Sequence, residues 1–321
     1  MKQRKGGWPI EAVAKRVRVI SDNDYAGDPD GLVQLAHHLL SPSVEIVGVI
    51  GTHHRSWQDA AMEETPDAAV EAAAKIARLC GRKDVTIVRG ARPAMVDHRD
   101  PLDSEGVQLI IREAMRTDVD TPLFVCCGAS LTEIASAWLI EPRIAERVTL
   151  VWIGGHEYDG PVAPGASDAE YNLAIDRVAA QVVFNDSNLR IWQIPRDVYR
   201  QALTTRAELM VRMSGQGRLG AYLFRRMGGV PVMAAKHGIA VGETYVLGDS
   251  PLVLVTALQT AFEPDTASCQ WVDIACPFVD DAGLYVTNPN GRTIRVYTRI
   301  DNRLWLEDLY AKLALLARDK A

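Results

Sequence analysis

An open α/β fold, with a mostly parallel, Rossmann-like sheet covered by helices on both faces, is what this sequence predicts, on three observations. Short β-branched runs alternate with helical patterns from residue 17 to about 195, the order of a parallel sheet built from strand–helix–strand units. The strands are near-continuous apolar runs, as expected where both faces are buried. The first strand opens directly into an acidic turn, and open α/β sheets present their sites at the carboxyl ends of their strands.

In chain order, residues 1–16 read as a leader, followed by the strand Val17 to Ile20 and the acidic stretch Ser21 to Gly31. Apolar residues at helical spacing begin at Leu32, and a second strand, Val44 to Gly51, ends in Thr52-His53-His54. The Ala-rich run Pro66 to Cys80 carries Glu71 and Lys75 at helical i,i+4 spacing and stops at Gly81, a good helix ending. Val85 to Val88 reads as a strand and Gly106 to Met115 as a helix. Leu123 to Cys127 is a core strand that turns through Gly128-Ala129-Ser130 into a helix near Leu131.

Val148 to Ile153 is the next buried strand, ending in Gly154-Gly155-His156. The loop of about sixteen residues after it is long for a compact domain and therefore a functional candidate. A helix over Arg177 to Phe184, a strand over Leu189 to Ile194, and helices within 205–226 and 251–262 follow. A hairpin-like stretch, Val286 to Tyr297, is centred on Asn288-Pro289-Asn290-Gly291, and an amphipathic helix, Leu304 to Leu316, comes last. With no linker, repeat or low-complexity tract, residues 1–321 read as one domain.

Composition excludes several classes. A formal net charge of -6 argues against binding a phosphate backbone, which depends on Lys and Arg neutralising phosphates. No stretch reaches the roughly 18 apolar residues that a membrane span needs. The basic N-terminus has no apolar run behind it. The chain as given reads as cytoplasmic, which leaves a signal sequence removed before its first residue as an alternative. The five cysteines, Cys80, Cys126, Cys127, Cys269 and Cys276, are odd in number and lack C-x-x-C spacing, so neither a disulfide framework nor a zinc site is suggested. Cys126 and Cys127 read as core thiols.

The acidic stretch places Asp22, Asp24, Asp28 and Asp30 within nine residues. Four like charges repel unless something positive sits among them, and a hard divalent cation with oxygen ligands, Ca²⁺ or Mg²⁺, is the expected companion. An EF-hand reading fails, because Ala26 and Val33 stand where its fifth and twelfth ligands belong. A haloacid-dehalogenase-like reading of Asp22-Asn23-Asp24 lacks its usual residue two places on. A solvated helix cap, with Asp30 as N-cap, needs fewer carboxylates.

The stretch resembles the opening motif of the nucleoside hydrolases, the inosine–uridine-preferring N-ribohydrolases, in its Asp-x-x-Gly-Asp-Pro-Asp variant. Further resemblances follow in order: the strand Glu45 to Gly51, Gly128 to Ala135 with Glu141-Pro142-Arg143-Ile144, Trp152 to Gly155, Ala169 to Asp176, and Gly248-Asp249-Ser250-Pro251. Together they span roughly residues 17 to 310. The resemblance implies the nucleoside hydrolase fold, a Ca²⁺ cofactor, a small-molecule nucleoside substrate and a homodimer or homotetramer.

It also implies roles. Asp24 matches the Ca²⁺ ligand that activates the attacking water. Of Asp28 and Asp30, one matches the bidentate ligand and the other a ribose-binding carboxylate, and the inserted Pro29 leaves the order open. Asp249 matches the late ligand, and a main-chain carbonyl near Cys127 or Gly128 matches another. Glu170 and Asn172 match residues that hold the ribose, and Asp22 a neighbour of the metal. Thr52 stands where many members carry Asn, on the substrate side.

Gly248 stands where many members carry a leaving-group histidine, which turns attention to His156 and His98. Trp57, Tyr158, Tyr222, Tyr245 and Trp271 are candidates to stack on a base. The chemistry suits these residues independently, because an oxocarbenium-like transition state gathers positive charge that carboxylates stabilise. Two other readings stay open: a metal-dependent phosphatase using Asp22 or Asp24, and a catalytically silent ligand-binding relative, motivated by Gly248.

Overall fold

The computed structural model describes residues 13–54, 65–158, 168–236, 238, 240–259 and 269–319. Its strands are β1 (Val17–Asn23), β2 (Val44–Gly51), β3 (Ile87–Arg89), β4 (Leu123–Cys127), β5 (Val148–Ile153), β6 (Arg190–Ile194), β7 (Leu203–Thr205), β8 (Thr244–Val246), β9 (Cys269–Ala275), β10 (Phe278–Val279), β11 (Tyr285–Val286) and β12 (Thr293–Ile300). Its helices are α1 (Asp30–Leu39), α2 (Thr65–Cys80), α3 (Glu105–Ala114), α4 (Thr132–Ile140), α5 (Tyr171–Ile175), α6 (Arg177–Gln181), α7 (Arg196–Tyr199), α8 (Arg206–Arg212), α9 (Gly217–Lys236), α10 (Pro251–Val253) and α11 (Asn302–Asp319).

Eight strands form the central sheet in the order β3-β2-β1-β4-β5-β6-β12-β9. Every pairing is parallel except the edge pair β12–β9. From β1 the chain winds outward through β2 and β3 on one side, then returns to β4 on the other. The topological switch point therefore lies between β1 and β4, the place where an open α/β sheet leaves a crevice at its carboxyl edge.

Successive strand residues point to opposite faces, and both faces are covered. Val19, Cys126 and Val151 join Leu32 and Leu35 of α1, Ile76 of α2, Leu223 of α9 and Leu309 of α11 on one side. Ile20, Val125 and Leu150 join Leu109 of α3, Ile134 of α4 and Ala180 of α6 on the other. The five cysteines are buried and form no disulfide. Among the described residues, no helix is long and apolar enough to cross a membrane.

The mostly parallel sheet with helices on both faces is as the sequence predicts, with differences at its ends. The expected hairpin over Val286 to Tyr297 does not form. The turn exists, with Gly291 N donating to Asn288 O at 3.0 Å, but it links β11, paired with β10, to β12, paired with β6 and β9. Buried Ile294 and Val296 hold β12 inside the large sheet. β9 escapes the sequence reading because it is an edge strand, with a largely exposed or half-exposed row of side chains. β1 also runs on through Ser21, Asp22 and Asn23, so the first aspartate of the acidic stretch is a strand residue. The helix read as 251–262 is α10 continued by a π-helical turn, Leu254–Leu258, and residues 260–262 lie outside the described residues.

Candidate active site

At the carboxyl end of β1 the chain leaves the sheet at Asn23, turns back with Gly27 N on Asp24 O at 2.7 Å, and enters α1 at Asp30. The turn puts Asp24, Asp28 and Asp30 along one wall of a cavity of about 830 Å³. Asp249, just before α10, supplies a fourth carboxylate from a distant part of the chain. Asp30 is not an N-cap. It is the first helical residue, where a helix dipole favours negative charge, and its Oδ2 accepts from Asp249 N at 3.2 Å.

Burial, and then the charges of Asp249 and Asp28, push the Asp24 carboxyl well above the usual carboxylate range. Burial followed by the same two charges and that of Asp24 does this to Asp30. Burial raises Asp249 to about 7. Asp28 keeps an exposed face at the rim, yet the protein around it still raises its carboxyl, and the Tyr245 hydroxyl donates to it. No described side chain donates a hydrogen bond to the Asp24 carboxylate. Among the described residues no three His, Cys, Asp or Glu side chains meet as a finished coordination shell, as expected of repelling charges. In donor type and charge the set fits a hard divalent cation.

The segment that opens α5 lines the same cavity. Glu170 caps α5, its Oε2 accepting from Leu173 N at 3.1 Å and from Gly155 N at 2.8 Å. Its Oε1 accepts from the Tyr199 hydroxyl at 2.8 Å. Asn172 spends both amide hydrogens on protein, donating to Gly128 O at 3.1 Å and Ile153 O at 2.8 Å. That leaves its Oδ1 as an acceptor that no described residue uses.

Other residues singled out from the sequence lie behind the wall. Asp22 is fully buried, with the Cys127 thiol donating to its Oδ2 at 3.8 Å. Burial and then the charge of Glu133 push its carboxyl well above the usual carboxylate range. Thr52 donates to Glu133 Oε2 at 2.9 Å, and Ala91 N donates to Oε1 at 2.7 Å. Gly128 reaches the cavity wall but Cys127 does not.

His156 is buried with Nε2 3.0 Å from Gly283 O, edge-on to Tyr285. His98 is an exposed partner of Asp186. Neither lines the cavity, nor do Tyr158, Tyr222 and Trp271, which pack elsewhere. Trp57 lies outside the described residues.

The wall also contains residues that no motif marked: His54 after β2, Tyr199 and Arg200 at the end of α7, and Arg226 on α9. Gly248 lines it too, and a Cβ there would lie 3.2 Å from Asp30 Oδ2 and 3.3 Å from Tyr199 Cδ2. The Tyr199 ring thus occupies the space beside Gly248. The signal for Tyr199 was within reach, since Pro195 closes β6 at the carboxyl edge of the sheet and α7 begins there.

A doubly wound sheet with a carboxylate-lined cavity over its switch point defines a Rossmann-like α/β protein with a polar ligand site. The chain belongs to the inosine-uridine preferring nucleoside hydrolase family, whose model matches residues 19–305. The inosine-uridine preferring nucleoside hydrolase of Leishmania major is 41% identical over 102 residues, 32% of this chain and 31% of the relative. That of Crithidia fasciculata is 39% identical over 107 residues, again 32% and 31%. The match thus spans about a third of each relative's length.

Among solved structures, the plant nucleoside hydrolase PpNRh1 superposes with a TM-score of 0.71 at 17% identity, covering 93% of this chain and 99% of that one. A purine-preferring ribonucleoside hydrolase from Gardnerella vaginalis gives 0.69 at 20% identity, covering 94% and 99%. At these identities the superpositions show the shared fold.

Proposed function

We propose that this protein hydrolyses the N-glycosidic bond of a ribonucleoside to ribose and free base, with Asp24, Asp30, Asp249 and a main-chain carbonyl near Gly128, just after β4, as the residues that would hold Ca²⁺. The observation that carries the reading is the buried, mutually repelling set of carboxylates in the cavity over the β1–β4 switch point, in a chain of this family. When bound, Ca²⁺ supplies charge compensation, a grip on ribose hydroxyls and acidification of the attacking water.

Asp24, whose carboxylate takes no side-chain hydrogen bond from the described residues, accepts the proton of that water. The Oδ1 of Asn172 accepts from a ribose hydroxyl. Glu170, fixed by its own hydrogen bonds, presents negative charge to the ring as the oxocarbenium character develops. Asp28 joins at the rim. His54, Arg200 and Arg226 are among the wall residues able to donate a hydrogen bond to the departing base.

The deciding experiment assays a panel of ribonucleosides for free ribose, before and after a chelator, with Asp24→Asn as the control. Expected is ribose release that the chelator removes and Ca²⁺ restores, falling by at least about a hundredfold in the variant. Activity indifferent to both chelator and substitution would sink the mechanism. Binding without turnover would point instead to a silent relative.

A further inference from the structure

Asn23 is the residue between the two aspartates that open the acidic stretch, and its side chain faces neither solvent nor cavity. It is fully buried. Its Oδ1 accepts from Asp24 N at 2.9 Å, while its Nδ2 donates to Asp249 Oδ2, also at 2.9 Å. Those two bonds fix which end of the amide is which, because a backbone N–H can only donate and a carboxylate oxygen accepts. One carboxamide therefore joins the β1 turn to the segment before α10, far apart in the chain.

The amide is also clamped. A Cβ on Gly128 would lie 2.3 Å from Asn23 Nδ2, and one on Gly31 3.0 Å from it. Glycine on both sides lets β4 and α1 close directly on the side chain. Behind it, Gln34 Oε1 stands 3.5 Å from Nδ2, at the outer limit of a hydrogen bond. Gln34 is itself held by Ser21 at 3.1 Å and by His38. The Thr256 hydroxyl spends its proton on Leu252 O at 2.6 Å, so His38 Nε2 donates to Thr256 Oγ1 at 2.9 Å and His38 Nδ1 is left to accept from Gln34. Donors and acceptors alternate consistently from Thr256 back to Asp249, and helix α1 is thereby tied to the segment 249–256 at both ends.

We infer that Asn23 is a positioning residue: it sets the spacing and orientation of Asp249 relative to Asp24, with Gln34 and His38 holding it in register. The inference rests on the proposed cation site. Without Asn23, Asp249 and Asp24 remain in the chain, but the hydrogen bond that aims one and the acceptor that fixes the turn of the other are both gone. Partners that orient ligating carboxylates typically matter 10- to 100-fold, roughly, in metal affinity.

The test is Ca²⁺ affinity of the whole chain by calorimetry, beside the melting temperature of the Ca²⁺-free protein, for wild type, Asn23→Ala, Gln34→Met and the control Asp249→Asn. Expected is tight wild-type binding, none measurable for Asp249→Asn, and binding weakened roughly tenfold or more by Asn23→Ala, with a smaller loss in Gln34→Met. Gln34→Met keeps the question open to refutation should Asn23→Ala fail to fold.

Folded variants that bind Ca²⁺ within about twofold of wild type overturn the inference, even if their melting temperatures fall, since that pattern is a merely structural role. Wild type and Asp249→Asn alike failing to bind Ca²⁺ would overturn the cation site itself, and this inference with it.

Discussion

The Tyr199 hydroxyl donates to Glu170 Oε1 at 2.8 Å, and the two residues come from different elements that line the cavity. Glu170 closes the long loop after β5, and Tyr199 ends α7 after β6. The bond fixes the carboxylate that faces the proposed ribose position. It also explains how a residue already spent on capping α5 can be oriented toward a ligand.

Tyr199→Phe keeps the ring beside Gly248 and removes only this bond. The net worth of such a bond is about 0.5–1.5 kcal/mol. Nucleoside turnover should therefore lose roughly two- to tenfold in kcat/KM, with little change in melting temperature. Steady-state kinetics and a thermal melt check this, and a variant kinetically identical to wild type would leave the Glu170 carboxylate unconstrained by Tyr199.

Asn172 makes a sharper contrast. Both of its amide hydrogens go to main-chain carbonyls, Gly128 O and Ile153 O. Asn172→Asp sets a carboxylate oxygen against those carbonyls and should destabilise the fold by about 2 kcal/mol or more. Asn172→Ala, which leaves room for water, should cost less while raising KM. Denaturant titration of the two variants reads the difference, and equal stabilities would mean that the carbonyls are satisfied in another way.

Much of this arrangement was legible in the sequence, for a physical reason. The parallel strands are buried on both faces, so β2, β4 and β5 announce themselves as local apolar runs, and the acidic turn follows its strand directly. Pairing partners are not local. The stretch read as a hairpin around Asn288 holds a real turn, yet β12 is claimed by β6 and β9. The same holds at the site. Thr52 and His156 sit beside motifs in the chain but turn inward to Glu133 and Gly283. His54, Tyr199 and Arg226 reach the cavity through the fold alone.

His38 supplies a pH dependence whose sign can be worked out. Burial, followed by the nearby His37 and Lys312, lowers it from 6.5 to about 3. The folded protein keeps the imidazole neutral while the unfolded chain takes up a proton below pH 6.5. Its contribution is complete above that pH and is lost as pH falls through the window from 6.5 toward 3. Between pH 7 and 5 the loss is about 2 kcal/mol.

The cavity carboxylates act in the opposite sense, because their raised values let the native state bind protons first. Comparing wild type with His38→Gln cancels their effect. The wild type should lose about 2 kcal/mol more stability than the variant over that range, by denaturant titration at the two pH values. A constant gap would show that His38 does not titrate on unfolding.

Gly248 is the last test, because sequence and structure explain it differently. Read along the chain, it is a missing leaving-group histidine. In the fold, a Cβ there would lie 3.2 Å from Asp30 Oδ2 and 3.3 Å from the Tyr199 ring, so a side chain at this position crowds both and presses on the ring whose hydroxyl donates to Glu170. Gly248→His should therefore cost about 1–3 kcal/mol as overpacking and slow nucleoside cleavage. Pairing Gly248→His with Tyr199→Ala opens the space, so the double variant should recover stability relative to the sum of the two single changes. A single Gly248→His variant as stable as wild type, and faster, would mean that the site has simply lost a histidine it could still hold.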